Sequence, residues 1–182
     1  MKIAITGHTR GIGKGLADEL SSQGHSIVGF SRTNGYDTKL ETSRKSIIEN
    51  VTDCDIFINN AFPGQHEMFN LIFDAWRNDK TKTIINIGSI SKYKEFTLAT
   101  EYIITKWKLY KLTLHPILHK QKLCRLMLFN PGLVDTDMVK KDTRKNKMTV
   151  EECVKLMSWA ILQPQHIEIA ELSFWLTDDG TK

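Results

Sequence analysis

Thr6-Gly7-His8-Thr9-Arg10-Gly11-Ile12-Gly13 follows the apolar run Ile3-Ala4-Ile5 and leads into Ile12, Leu16 and Leu20, which recur at helical spacing up to Gln23-Gly24. Strand, glycine-rich turn and amphipathic helix in that order leave few folds open. The glycines let the backbone turn sharply off the strand and approach a pyrophosphate, whose charge meets free N–H groups at the helix start. A glycine trio alone can serve a purely conformational turn. Its place between a first strand and a helix is what points to a dinucleotide. Ser26-Ile27-Val28-Gly29-Phe30 reads as a second buried strand, entered through the helix stop at Gly24, so the chain opens with a βαβ unit.

The alternation continues. A polar turn at Thr33-Asn34-Gly35 precedes a short helix over Thr42 to Asn50 and a strand from Asp55 to Asn59. A helix from about Glu67 to Trp76, a strand from Thr83 to Ile87 and a long helix from about Thr97 to Leu114 follow, the last limited by Pro116. Leu123 to Phe129 reads as a strand stopped by Asn130-Pro131-Gly132, Thr149 to Leu162 as a helix with Thr149, Glu151 and Glu152 as start signals, and Ile169 to Leu176 as a final strand. Right-handed crossovers then imply one α/β domain over residues 1–182, Rossmann-like and doubly wound, with a mostly parallel sheet and helices on both faces. The charged segment Lys140 to Lys147 reads as a solvated surface loop, with a lid over a pocket as the alternative.

A length of 182 residues allows one core and not two, and 41% hydrophobic with 25% charged residues is ordinary globular composition. Cys54, Cys124 and Cys153 are odd in number and lack C-x-x-C spacing, so they read as buried free thiols rather than a disulfide framework or zinc site. Met1 runs straight into a strand pattern without the marks of a secretory signal, which points to the cytoplasm. No stretch reads as membrane-spanning and none resembles a helix-turn-helix reader; a net charge of +4 suits an anionic cofactor as well as a nucleic acid. His115 and His119 have a ligand-like separation but lack acidic partners, so no metal is expected. His66 reads as a loop residue, and Trp76 and Trp107 as packing or interface residues.

Sites that favour a cofactor without a 2′-phosphate place an acidic residue at the end of the second strand. Here that position reads Ser31-Arg32. Arg32 and Arg10 can flank a phosphate from two sides, where a carboxylate would repel it. The expected cofactor is therefore NADP(H) in preference to NAD(H).

Five motifs occur in order: Thr6-Gly7-x-x-x-Gly11-x-Gly13, Asn59-Asn60-Ala61, Ser89, Tyr102-x-x-x-Lys106 and Asn130-Pro131-Gly132-Leu133-Val134-Asp135-Thr136. Together they resemble the ordered motifs of the short-chain dehydrogenase/reductase family, in a shortened chain. The resemblance implies that Tyr102 is the general acid or base, that Lys106 tunes it and holds the nicotinamide ribose, and that Ser89 orients a substrate carbonyl. A free phenol titrates near 10, and a neighbouring ammonium is expected to lower it. Thr9, Arg10 and Ile12 fall inside the cofactor turn with Gly7, Gly11 and Gly13, and Asn59, Asn60 and Ala61 shape the strand end beneath the cofactor. Pro131, Gly132, Val134 and Thr136 resemble the nicotinamide-side loop. Asp37 resembles the acidic residue near the adenine, with an ordinary turn residue as the other reading. Asn70 is the best match for the asparagine of the family's proton relay.

The stretch from Ala61 to Ser89, the path from the second strand to Asp37 and the loop after Thr136 are all shorter than in the family. The expected function is hydride transfer between nicotinamide and a small carbonyl or alcohol, in a homodimer or homotetramer, with neither nucleic acid nor membrane as partner. A catalytically silent NADP(H)-binding sensor of the same fold is the alternative.

Overall fold

Ile3 and Ile5 point to one side of their strand and Ala4 to the other, and this alternation organises the molecule into two buried layers. The computed structural model describes residues 1–93 and 100–177. Six strands are described: β1 (Lys2–Thr6), β2 (Ser26–Phe30), β3 (Ile56–Asn59), β4 (Thr83–Ile87), β5 (Arg125–Pro131) and β6 (Glu171–Phe174). They form one sheet in the order β2-β1-β3-β4-β5-β6, with every pair parallel. The connecting helices are α1 (Gly11–Ser22), α2 (Glu41–Asn50), α3 (Gln65–Trp76), α4 (Glu101–Leu118) and α5 (Val150–Ile161).

One layer packs Leu16 and Leu20 of α1 and Met157 and Ile161 of α5 on Ile3, Ile5, Ile58, Ile85, Met127 and Phe129. The other packs Ile47 of α2, Met68, Phe69 and Ile72 of α3 and Leu109 of α4 on Ala4, Phe57, Ile84 and Leu126. The expected doubly wound α/β architecture is thus present, with both faces of a parallel sheet covered. Fully burying a side chain the size of Ile or Phe is worth about 1.5–3 kcal/mol. The near-continuous apolar runs of β3, β4 and β5 follow from having no solvated face. Between β1 and β3 the chain order reverses direction, which opens a crevice beyond their carboxyl ends.

Local signals explain most boundaries. Thr149 caps α5: its hydroxyl accepts from Glu152 N–H at 3.1 Å while the Glu152 carboxylate accepts from Thr149 N–H at 2.8 Å. Cys54, Cys124 and Cys153 are free and buried, and burial raises all three thiols. Trp76 is a packing residue, edge-on to Phe57 with ring centres 6.3 Å apart.

Two expectations about proline are corrected. Helix α4 runs past Pro116 to Leu118, because the proline stands in the last turn, where losing one N–H leaves few later bonds to disrupt. The expected start near Thr97 lies outside the described residues; within them the helix begins at Glu101, capped by the Thr100 hydroxyl. Strand β5 likewise runs through Asn130 to Pro131 instead of stopping before them. β4 pairs only as far as Phe129, so the proline's missing N–H falls past the end of β4, while Gly132 N–H still donates to Phe174 O at 2.7 Å.

Candidate active site

The turn after β1 is built by backbone. Gly7 has φ +71, and its N–H donates to Phe30 O at the end of β2 at 2.6 Å. A Cβ on Gly13 would lie 2.2 Å from Gly7 O and 2.5 Å from Asn60 Nδ2, so only glycine lets α1 begin this close beneath the turn. Asn60 ties the ends of β1 and β3 together, its Nδ2 donating to Thr6 O at 3.0 Å and its N–H to Thr6 Oγ1 at 2.9 Å. The first N–H groups of α1, which have no carbonyl within the helix to meet, therefore face the crevice.

Two contiguous cavities fill that crevice. The larger, of about 750 Å³, is bounded by Gly7, Thr9, Arg10, Gly11 and Ile12, by Ser31, Arg32 and Asp37, and by Asn60 and Ala61. Arg10 and Arg32 are exposed, with no ion pair among the described residues. Thr33 and Lys39 add a hydroxyl and an ammonium to the same wall. The 3₁₀ turn Arg32–Asn34 is held by Asn34 Nδ2 donating to Gly29 O at 2.8 Å. Asp37 faces the cleft and is also a turn residue, since its Oδ1 accepts from Lys39 N–H at 3.0 Å. Glycine cradle, helix start and free guanidinium groups together fit a dinucleotide.

The smaller cavity, of about 350 Å³, gathers Ser89, Tyr102 and Lys106 with Pro131, Gly132, Val134 and Thr136. Ser89 stands two residues beyond the last residue of β4, and Tyr102 and Lys106 lie one turn apart on α4. The Ser89 hydroxyl donates to Ser91 Oγ at 3.0 Å and accepts from Ser91 N–H at 3.1 Å, and it stands near enough to the Tyr102 phenol to lower it. Phe62 meets the Tyr102 ring edge-on at 5.3 Å, and Phe62, Met138, Asp142 and Arg144 complete the wall. The charged segment after Lys140 is therefore part of the cavity, not only a solvated connection.

The electrostatics differ from the expected pairing. Burial raises the Tyr102 phenol above its ordinary value of 10, and the nearby Ser89 hydroxyl only partly opposes this. Lys106 does not lower it: the amine lies 5.4 Å from the Tyr102 ring centre and turns inward, donating to Gln65 Oε1 at 2.5 Å and to Ile87 O at 2.8 Å. Burial brings Lys106 down from 10.5 to about 7. The phenol thus keeps its proton to higher pH than a free tyrosine, beside a lysine brought down to about 7.

Three expected site residues lie elsewhere. Asn70 is exposed on α3 and lines neither cavity, because the inner face of that helix is taken by Gln65, Met68, Phe69 and Ile72. Gln65, at the start of α3, takes the inner position instead, fully buried, with Nε2 donating to Asn59 O at 2.9 Å and Ile87 O at 3.0 Å. Only its place six residues past Asn59 hinted at this. Asn59 reaches neither cavity, because its Nδ2 is spent on Gln65 O and Asn86 Oδ1 beneath the sheet end. Gly13 also borders neither and acts by letting backbone approach backbone. His66 pairs with Glu67 at 3.1 Å and lines neither cavity.

No family model matches the chain. An uncharacterized oxidoreductase of Staphylococcus saprophyticus is 24% identical over 226 aligned positions, covering 94% of this chain and 96% of the relative. The 3-alpha-hydroxysteroid dehydrogenase of Pseudomonas sp. B-0831, solved with NADH, superposes with a TM-score of 0.77 at 17% identity, covering 95% of this chain and 94% of its own. A short chain dehydrogenase of Burkholderia cenocepacia, solved with NADP, gives a TM-score of 0.73 at 18% identity, covering 94% and 86%. The fold is that of the short-chain dehydrogenases/reductases. Within the short-chain dehydrogenase fold, the two cavities sit over the sheet's carboxyl edge, where the chain order reverses. Among the described residues no helix is long and apolar enough to cross a membrane.

Proposed function

We propose that this chain is a shortened short-chain dehydrogenase/reductase that moves hydride between NADP(H) and a small carbonyl or alcohol. The observation that carries the reading is the gathering of Ser89, Tyr102 and Lys106 in the wall of one cavity continuous with the glycine turn. Gly7 and Gly11 with Thr9 and Ile12 hold the pyrophosphate over the start of α1, which Gly13 lets begin close beneath the turn. Arg10 and Arg32, with Ser31 beside them, take the 2′-phosphate, and Asp37 borders the adenosine. Asn60 and Ala61 support the middle of the cofactor, and Pro131, Gly132, Val134 and Thr136 close on the nicotinamide. The nicotinamide, when bound, supplies or accepts the hydride.

Ser89 donates a hydrogen bond to the substrate oxygen and fixes its direction. Tyr102, whose burial favours the protonated phenol, gives that oxygen its proton during reduction. Lys106 keeps an amine within the cavity, and Gln65 and Ile87 hold it in place. Phe62 covers the Tyr102 ring and keeps water from it.

The test follows NADPH absorbance across a panel of small aldehydes, ketones and acyl thioesters, with NADH and Tyr102→Phe as controls. Turnover of at least one carbonyl, lost in Tyr102→Phe, is expected; turnover surviving that change rejects the mechanism. The silent sensor draws on Lys106, whose amine engages Gln65 and Ile87. It is the better reading if the panel is inert while NADPH binds.

A further inference from the structure

A second buried lysine lies behind the candidate site. Lys92, in the 3₁₀ turn Ile90–Tyr93 that follows Ser89, has no side-chain exposure. Its ammonium stands 3.7 Å from the ring centre of Tyr110 and 4.6 Å from that of Tyr93, and it pairs with Glu171 of β6. A buried ammonium is costly unless it is paired and hydrogen-bonded. Nothing in the proposed chemistry uses it.

Glu171 Oε1 gathers more than this ion pair. It also accepts from Ser173 Oγ at 2.8 Å, Tyr93 Oη at 3.0 Å and Asn130 Nδ2 at 3.1 Å. Burial pushes the Glu171 carboxyl up, but the hydrogen bonds from Lys92, Ser173 and Tyr93 outweigh it and the net direction is down. Two of the donors flank Ser89. Lys92 follows it, with Lys92 N–H donating to Ser89 O at 3.2 Å. On the other side a Cβ on Gly88 would lie 2.1 Å from Asn130 Oδ1, so the residue before Ser89 rests against the asparagine that Glu171 holds.

We propose that Glu171 is a positioning residue for the candidate site: through Lys92 on one side and Asn130 on the other, one carboxylate oxygen on the last strand holds the turn that presents Ser89 to Tyr102. This rests on the hydride-transfer reading for its purpose, but its geometry is independent of any substrate.

The test needs neither substrate nor cofactor. The chain contains four tyrosines, so 13Cζ-tyrosine labelling with Tyr102→Phe for assignment isolates the Tyr102 resonance. Ser89→Ala moves that resonance by removing the hydroxyl that stands beside the phenol and lowers it. Glu171→Gln is expected to move it in the same direction and, combined with Ser89→Ala, to add nothing further. An unmoved resonance in Glu171→Gln, or a shift that adds to that of Ser89→Ala, overturns the proposal. If Glu171→Gln alone does not fold, the Lys92→Met/Glu171→Gln double variant removes both charges from the cage. A folded double variant with the wild-type resonance overturns the proposal, and one with the Ser89→Ala resonance supports it. With a carbonyl that the panel identifies, Glu171→Gln lowers kcat about 10- to 100-fold and leaves KM within about twofold, as misplacement of a reacting group does. Failure of the entire panel rejects the hydride-transfer reading and leaves the resonance test of positioning intact.

Discussion

The two ends of the crevice are built in opposite ways. At the glycine turn the fit lies in backbone: Gly7 and Gly13 matter for what they lack, and the side chains nearby are exposed and charged. At the reaction end the fit lies chiefly in side chains taken out of water: Tyr102 half buried, Lys106 and Gln65 almost wholly so. A site of the first kind tolerates solvent and recognises charge at close approach. One of the second kind tunes proton affinity by desolvation and depends on each buried partner. Substitutions should therefore fail differently at the two ends.

The largest effect is expected where one proton is withdrawn from the reaction end. Tyr102→Phe should lower turnover by about 100- to 10,000-fold, the range for a lost general acid, while the NADPH dissociation constant stays within about twofold. Loss of both together would erase the contrast between the two ends.

Lys106→Met tests the same end through stability. The folded-state pKa of Lys106 lies at about 7, below the ordinary 10.5, so the unfolded chain holds more protons between those values. Burying the ammonium therefore costs most at or below pH 7, and the cost falls as pH rises toward 10.5. Chemical denaturation should find Lys106→Met more stable than the parent below pH 7. That advantage should shrink above it with a limiting slope of about 1.4 kcal/mol per pH unit. An advantage independent of pH would mean the amine is not desolvated.

At the other end Gly13→Ala drives a methyl against Gly7 O and Asn60 Nδ2. Destabilisation of about 1–3 kcal/mol is expected, with weakened cofactor binding by titration calorimetry. The smallest effect is expected from Arg32→Ala, which removes one exposed guanidinium and should cut the NADPH-to-NADH affinity ratio about 10-fold, read by fluorescence titration with both cofactors. An unchanged ratio would remove the assignment of Arg32 to the 2′-phosphate.

The same contrast explains what the sequence disclosed. Order and spacing of Gly7, Gly11 and Gly13 sit on a strand–turn–helix junction whose geometry is local, so the turn was legible, as was the sheet to which the apolar runs of β3, β4 and β5 belong. Tyr102 and Lys106 are one helical turn apart and were legible for the same reason. Gln65 and Asn70 were not separable by pattern, because which face of α3 looks inward depends on how the shortened path from Asn59 enters the helix. The direction of the Tyr102 shift was equally hidden, since it turns on where the Lys106 amine points, a choice made by Gln65 and Ile87 from other strands and helices. Glu171 carries no local signal at all; its partners Lys92 and Asn130 come from distant parts of the chain.

The sheet order has one more consequence. Because β2 is the outermost strand, the far wall of the larger cleft is one loop thick, tied back by Asn34 to Gly29 and by Thr38 to Pro63. A ligand leaving that side need only slip past a short segment and shed contacts with exposed guanidinium groups, while the core stays packed. Because those guanidinium groups are exposed, salt is expected to weaken the hold on an anionic ligand at that side.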